Sequence, residues 1–361
     1  MKRDRSDPIE TTEDFAVSRP ANPSRKDFHT KNVPKRPALR RSIGAAAIGA
    51  LLVALVATGL GLDQLGTLST ITSIFILIVL AQSWNILGGY GGYLNLGMVA
   101  FFGIGAYTTG VLAFHFGWSP LWTMFLGGVV SAAFAALIGL PSLRVRGSYF
   151  AILTLIITFL VQLLIINMRF TRGALGLYVE QPDMAPRTRI QFFYFLFFAM
   201  AVVATVVVYS VEHSKFGNAL VTIREDEDAA QILGIRTTRV KMQAFVLGAY
   251  LAGVAGGLFT LRSGYIEPGG TFMLDTSIDV VLMTIVGGLG TWQGALIGVP
   301  LIEGAAEVLR VGVTRLGIFG VGVPTEFSRV VFGLILIFVA LFAPRGVMGF
   351  FRRASGRRRR L

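Results

Sequence analysis

The sequence predicts an all-α polytopic membrane protein with about ten transmembrane helices. Three observations predict it. Of the 361 residues, 53% are hydrophobic and only 15% charged, with a mean hydropathy of +0.66; soluble domains carry ~25% charged residues. Charge-free apolar runs of about 20 residues recur, the length that crosses a hydrocarbon core. The basic residues that give a net charge of +13 gather at the two ends of the chain. A cytosolic enzyme and a secreted disulfide scaffold are excluded, the latter because there is no Cys. An outer-membrane barrel is excluded because its strands alternate apolar and polar residues.

The elements follow in order. Residues 1–41 hold 11 Lys/Arg, six Asp/Glu and five Pro. Such a segment cannot bury enough apolar surface to fold, and is predicted to be a disordered cytoplasmic tail. It is too long and too acidic for a secretory signal. The transmembrane body occupies 42–350, followed by an Arg-rich tail at 351–361. Spans are predicted at Ile43–Leu62, Thr67–Leu87, Gly97–Phe116, Leu121–Leu140, Ser148–Met168, Gln191–Val211 and Met242–Leu261. Val280–Ile302 is also free of charge, but Gly287, Gly288, Gly290 and Gly294 make it a poor continuous helix. Dividing it gives Thr276–Leu289 and Gly294–Val311. Ser328–Ala343 completes ten.

Ten spans put both termini on one side. The segments of that side carry 25 Lys/Arg and the opposite loops six. The positive-inside rule makes the richer side cytoplasmic. Basic tails beside apolar helices fit topology and contact with anionic lipid; no motif for nucleic acid accompanies them.

The longest internal loop is 212–241. Phe216–Leu233 suits one helix stopped by Gly234. Leu220, Ile223, Ala230 and Leu233 recur at helical spacing as an apolar stripe, beside the acidic run Glu225–Asp228. Thr237 or Thr238 is a candidate cap for the next helix. A solvated surface helix would have this pattern too, but a docking helix for a cytoplasmic partner is the preferred reading.

The Gly-rich run GGYGGYLNLGMVAFFGIGAY, Gly88–Tyr107, has two readings. Small residues allow close helix packing. Alternatively, a broken helix exposes backbone groups along a polar path. Gly88–Gly91 and Gly287–Gly290 share the pattern GGxG after an apolar run, an echo of the kind a two-half repeat leaves. Gln82, Asn85, Gln162 and Asn167 are costly to expose to lipid. Glu303, Glu307 and Arg310 share a helix face, with an interhelical clamp as the preferred role. Three scattered His, no Cys and no Gly-Lys dipeptide leave no transition-metal site or P-loop.

Four ordered segments then carry a resemblance: Gly88–Tyr107, IREDEDAAQILGI at Ile223–Ile235, SIDVVLMTIVGGLGTWQGALIG at Ser277–Gly298, and PRGVMG at Pro344–Gly349. Together they resemble the branched-chain amino acid ABC transporter permeases of the LivM type over roughly Leu68–Gly349. The resemblance implies a multi-pass subunit of the bacterial cytoplasmic (inner) membrane that is not itself an enzyme. It implies two cytoplasmic ATPase subunits, a second permease (LivH type, or a second copy) and an extracytoplasmic solute-binding protein. ATP is used by those partners, and no cofactor is expected on this chain. The implied ATPase-coupling residues are Leu220, Ile223, Arg224, Glu225, Ala229, Ala230, Leu233 and Gly234. Candidates for an alternating-access path are Asn85, Gly88, Gly91, Asn95, Gly97, Asp279, Gly287, Gly288 and Gly290. Asn95, Met98 and Asp279 depart from the family's usual residues, and Thr171–Leu177 matches loosely, which keeps urea or a short amide open as substrate. The rival from another class is an ion-coupled secondary transporter, which would leave the docking helix without a role.

Overall fold

The computed structural model describes residues 65–145, 147–316 and 333. Both tails and the predicted spans Ile43–Leu62 and Ser328–Ala343 lie outside the described residues.

Helix α1, Leu65–Asn85, runs into a π-helical turn at Ile86–Tyr90. Residues 92–97 carry no regular structure. Then come α2 (Met98–Phe116), α3 (Pro120–Ser142) and α4 (Ser148–Asn167). A two-residue strand β1, Leu177–Tyr178, precedes α5, Pro186–Glu212. Two short helices follow, α6 (Lys215–Glu225) and α7 (Glu227–Ile232). Helix α8 spans Thr237–Ser263, and β2 is Tyr265–Ile266. The described chain closes with α9 (Pro268–Thr271), α10 (Leu274–Gly288) and α11 (Trp292–Leu316).

Seven helical segments among the described residues are long and apolar enough to cross a membrane: α1 with its π turn, α2 to α5, α8, and α9 with α10. This is short of the ten expected. Helix α11 is present where Gly294–Val311 was predicted, but its acids and arginines keep it outside the seven. The division of Val280–Ile302 is found as predicted, with the turn at 289–291.

Two local expectations need correction. Phe216–Leu233 is not one helix. At Asp226 the backbone turns extended (φ −158°, ψ 112°), and the carboxylate accepts from the Asp228 and Ala229 amides, capping α7. An Asp whose side chain satisfies the free amides of a new first turn favours that break over continuation. Nor does Thr237 or Thr238 cap α8: its N-cap is Arg236, without a side-chain bond.

Helix α8 is the centre of the packing, against α1, α2 and α3. The most apolar stretches of α1 and α8 are 78% buried, against 33% for α4. In lipid, apolar surface gains little from leaving one hydrocarbon for another, so helices associate through close packing of small residues. That is what joins α2, α3 and α8. A Cβ on Gly105 would lie 2.0 Å from the Gly253 carbonyl oxygen, and one on Gly256 would lie 1.9 Å from that of Phe102. Ser131 Oγ donates to Phe101 O (2.8 Å) and Thr260 Oγ1 to Ala106 O (3.0 Å), two hydrogen bonds that cross between neighbouring helices. β1 and β2 pair antiparallel, Leu177 with Ile266 and Tyr178 with Tyr265, tying two connections together. Two residues per strand carry no sequence pattern, and this pair was not anticipated.

Candidate functional site

Loops alternate between two ends of the bundle, as the predicted topology requires. One end, with His115 against Phe170 O and β1 against β2, collects the connections 168–185 and 264–267. The other collects 86–97, the end of α3, 212–241 and 289–291, and here the polar side chains converge.

The two GGxG segments meet at this second end. Asn85 donates through Nδ2 to Thr291 O (2.9 Å) and accepts at Oδ1 from the Gly290 amide (3.1 Å). Gln82 Nε2 donates to Trp292 O at 2.7 Å. A Cβ on Gly89 would stand 2.8 Å from the Gly290 nitrogen. Glu212, the last residue of α5, accepts from Tyr90 OH (2.7 Å) and from the Trp292 amide (3.0 Å). A carboxylate on a free amide at a helix N-terminus is favoured by hydrogen bond and dipole alike. Arg224 of α6 donates from Nη1 to Gly89 O at 3.0 Å, and its Cγ would stand 2.5 Å from a Cβ on Gly92. One joint therefore unites the π turn after α1, the start of α11, the end of α5 and helix α6.

The other predicted path residues take separate places. Gly88 lies under the Trp84 ring, 2.5 Å from a would-be Cβ, and Trp84 Nε1 donates to Asn95 O at 2.7 Å. Asn95 is buried and its Oδ1 accepts from the Gly97 amide (2.9 Å), while Gly97 abuts Thr154 O. Gly287 crosses Gly294, with its carbonyl oxygen 1.8 Å from a would-be Cβ. Gly288 turns the chain at φ 135°. Gly91 differs: its nearest neighbours would be Leu87 and Leu220 methyls at 3.4 and 3.5 Å, ordinary contact. Asp279 is half-buried in α10, about three turns before the joint.

The coupling candidates also divide. Leu220, Ile223 and Ala230 are buried within this chain, so they present no outward stripe. Leu233 is 73% exposed and its neighbour Ile232 88%. Ala229, Glu225 and Arg224 are exposed, and Gly234 reverses the chain at φ 83°, as its predicted stop requires. The break at Asp226 rotates α7 relative to α6, so spacing across 220–233 no longer reports one face.

Sequence reasoning missed a second cluster. Lys241 in α8 is 2% exposed. Its Nζ donates to Glu227 Oε1 (2.6 Å), Tyr93 OH (2.8 Å) and Leu143 O (3.1 Å), and lies 4.6 Å from the Tyr93 ring centre. Tyr93 OH donates to the other Glu227 oxygen. Glu227, read as one of four acids beside a docking stripe, is therefore the partner of a buried ammonium. The available signal was Lys241 itself, a cation inside the first turns of an apolar span. The arrangement positions α7 against the end of α3, α8 and the 92–97 segment. No group of three metal-ligating side chains occurs among the described residues.

Comparison with known proteins decides the family. The family described as branched-chain amino acid transport system / permease component matches residues 66–340. The chain belongs to this family. It is 29% identical over 327 residues to the high-affinity branched-chain amino acid transport system permease protein LivM of Salmonella typhimurium, covering 83% of this chain and 73% of that protein. LivM of Escherichia coli is 28% identical over the same shares. The permease protein LivH of Salmonella typhimurium is 36% identical over 139 residues, 38% of this chain and 41% of that protein. No solved structure matches. As a permease component the chain is a multi-pass inner-membrane transport subunit of an ABC importer, and not an enzyme. Similarity to both LivM and LivH fits a system built on a permease pair.

Proposed function

We propose that this permease forms half of the translocation path of an ATP-driven importer for branched-chain amino acids. Its paired permease is of the LivH type. Two ATPase subunits lie against the end bearing α6 and α7, and a solute-binding protein delivers substrate to the opposite end. The observation that carries the reading is the joint of Arg224, Gly89, Asn85 and Gly290: it links the exposed α6–α7 excursion directly to both Gly-rich breaks. Displacing α6 would draw on the Arg224 hydrogen bond and so on the ends of α1 and α11, which is the connection alternating access needs. ATP serves the ATPase subunits, and this chain binds no cofactor. Reconstitution of the permease pair, ATPases and binding protein in proteoliposomes tests it: leucine uptake should require ATP inside the vesicle. Uptake of urea or a short amide, but not leucine, would move the substrate; leucine uptake driven by an ion gradient alone would sink the importer.

In this reading both termini are cytoplasmic, on the side of the 212–241 end, as the positive-inside rule expects. The chain has no Cys, so single cysteines report cleanly. Tyr178→Cys should react with an impermeant maleimide in intact cells, and Ile232→Cys only after permeabilisation. The reverse pattern would invert the topology.

The apolar anchors for the ATPase are Ile232 and Leu233. Replacing both by Asp should lower ATPase co-purification about tenfold or more, because central apolar anchors carry most interface affinity. A change at Ala230 would damage the chain's own packing and says nothing specific about docking.

A further inference from the structure

At the end opposite the joint, a cavity of about 170 Å³ opens between α1, α5 and α8. Its polar wall includes Ser69, Gln181, Arg189 and Arg262, and Phe193 belongs to its apolar wall. No carboxylate lines it. Arg262 is held in place: Nη2 donates to Ser69 O (3.1 Å) and Ser69 Oγ (3.0 Å), and both terminal nitrogens lie 3.3 Å from Ser73 Oγ. Every one of these acceptors is neutral, so the guanidinium is oriented without being neutralised. Arg189 makes no side-chain hydrogen bond among the described residues. It sits in the first turn of the 27-residue α5, where the helix dipole adds positive potential. Gln181 donates to Arg262 O, closing the rim.

We propose that this cavity binds a single oxyanion, the phosphate of a membrane phospholipid. Two planar guanidinium forks, one fixed and one free, suit the tetrahedral oxygens of phosphate through paired charge-assisted bonds. A zwitterionic amino acid fits less well, because its ammonium would find no carboxylate. Depth favours a lipid over a soluble anion. Ser69 and Arg189 lie about one turn, ~5 Å, from the ends of their helices, and Arg262 is the penultimate residue of α8, the level where headgroups meet hydrocarbon. Phe193 then lies where the acyl chains begin.

The test uses the full chain purified in detergent. Its thermal midpoint is followed against short-chain phosphatidylglycerol, with inorganic phosphate and leucine as parallel titrations. Phosphatidylglycerol should raise the midpoint saturably. Arg189→Gln should weaken its apparent affinity about tenfold, the loss expected for one charge-assisted contact, and leave the unliganded midpoint in place. Arg262→Lys, which keeps the charge and loses the fork, should weaken it less than Arg189→Gln. Unchanged phosphatidylglycerol affinity in Arg189→Gln would overturn the site. An Arg189-dependent response to leucine or phosphate, with none to the lipid, would overturn the lipid assignment.

Discussion

Lys241→Met and Glu227→Gln are each expected to cost the protein about 3–5 kcal/mol, the effect of stranding one member of a buried ion pair. Lys241 is 2% and Glu227 12% exposed at the side chain, so solvent does little to screen either. The lysine variant removes the cation that faces the carboxylate; the glutamate variant leaves the ammonium facing neutral acceptors in place of a charge. The double variant should recover much of the loss, since removing both charges removes the uncompensated one. Unfolding midpoints of the two singles and the double in one detergent form the cycle that reads this coupling. Additive singles within about 0.5 kcal/mol of wild type would show that the pair is only a surface contact. The neighbouring acids set the contrast. Glu225 pairs with Arg224 at 3.1 Å, but is 72% exposed. Glu225→Gln should cost no more than ~1 kcal/mol.

Gly287→Ala should be nearly as damaging, and Gly91→Ala nearly silent. A single methyl on Gly287 would arrive 1.8 Å from a backbone oxygen of the next helix, which cannot turn aside as a side chain can. Separating α10 from α11 is the remaining response, and overpacking of this kind costs ~1–3 kcal/mol or more. At Gly91 the same methyl meets two leucine methyls at contact distance, and an effect within ~0.5 kcal/mol is expected. The yield of monodisperse protein from membranes and its thermal midpoint report both. Equal behaviour of the two variants would refute the distinction.

That contrast shows what the sequence could and could not say. The apolar runs located the helices, because a span is specified by its own length and composition. The GGxG echo pointed to two breaks, but nothing local says that Asn85 and Gly290, 205 positions apart, bond each other. Ranking the glycines was impossible from sequence, since Gly91 and Gly89 look alike until their neighbours are placed. The stripe Leu220–Ile223–Ala230 was legible as apolar periodicity. What fills it was not, because a helix face buried in its own chain and one awaiting a partner have the same pattern. The fault lay in carrying one periodicity through Asp226, whose side chain starts a new helix. Lys241 was legible as a charge and invisible as a partner, since Tyr93 and Glu227 come from other elements.

The backbone crossings of α8 against α2 have a mechanical meaning. Helices that meet through side-chain ridges can slip by a register, one arrangement of knobs exchanged for another. At Gly105–Gly253 and Gly256–Phe102 there are no knobs to exchange. A shift along either axis would carry the Phe102 or Leu258 side chain onto a backbone where only hydrogen fits. These two helices, with α3 packed on them, are therefore expected to move together as one unit, a stator. In the proposed transport cycle, movement would then draw on the exchangeable hydrogen bonds by which Asn85, Gln82 and Glu212 join the ends of α1, α5 and α11. Strain applied at α6 would then be released by swapping acceptors at that seam, while the axle itself stays fixed.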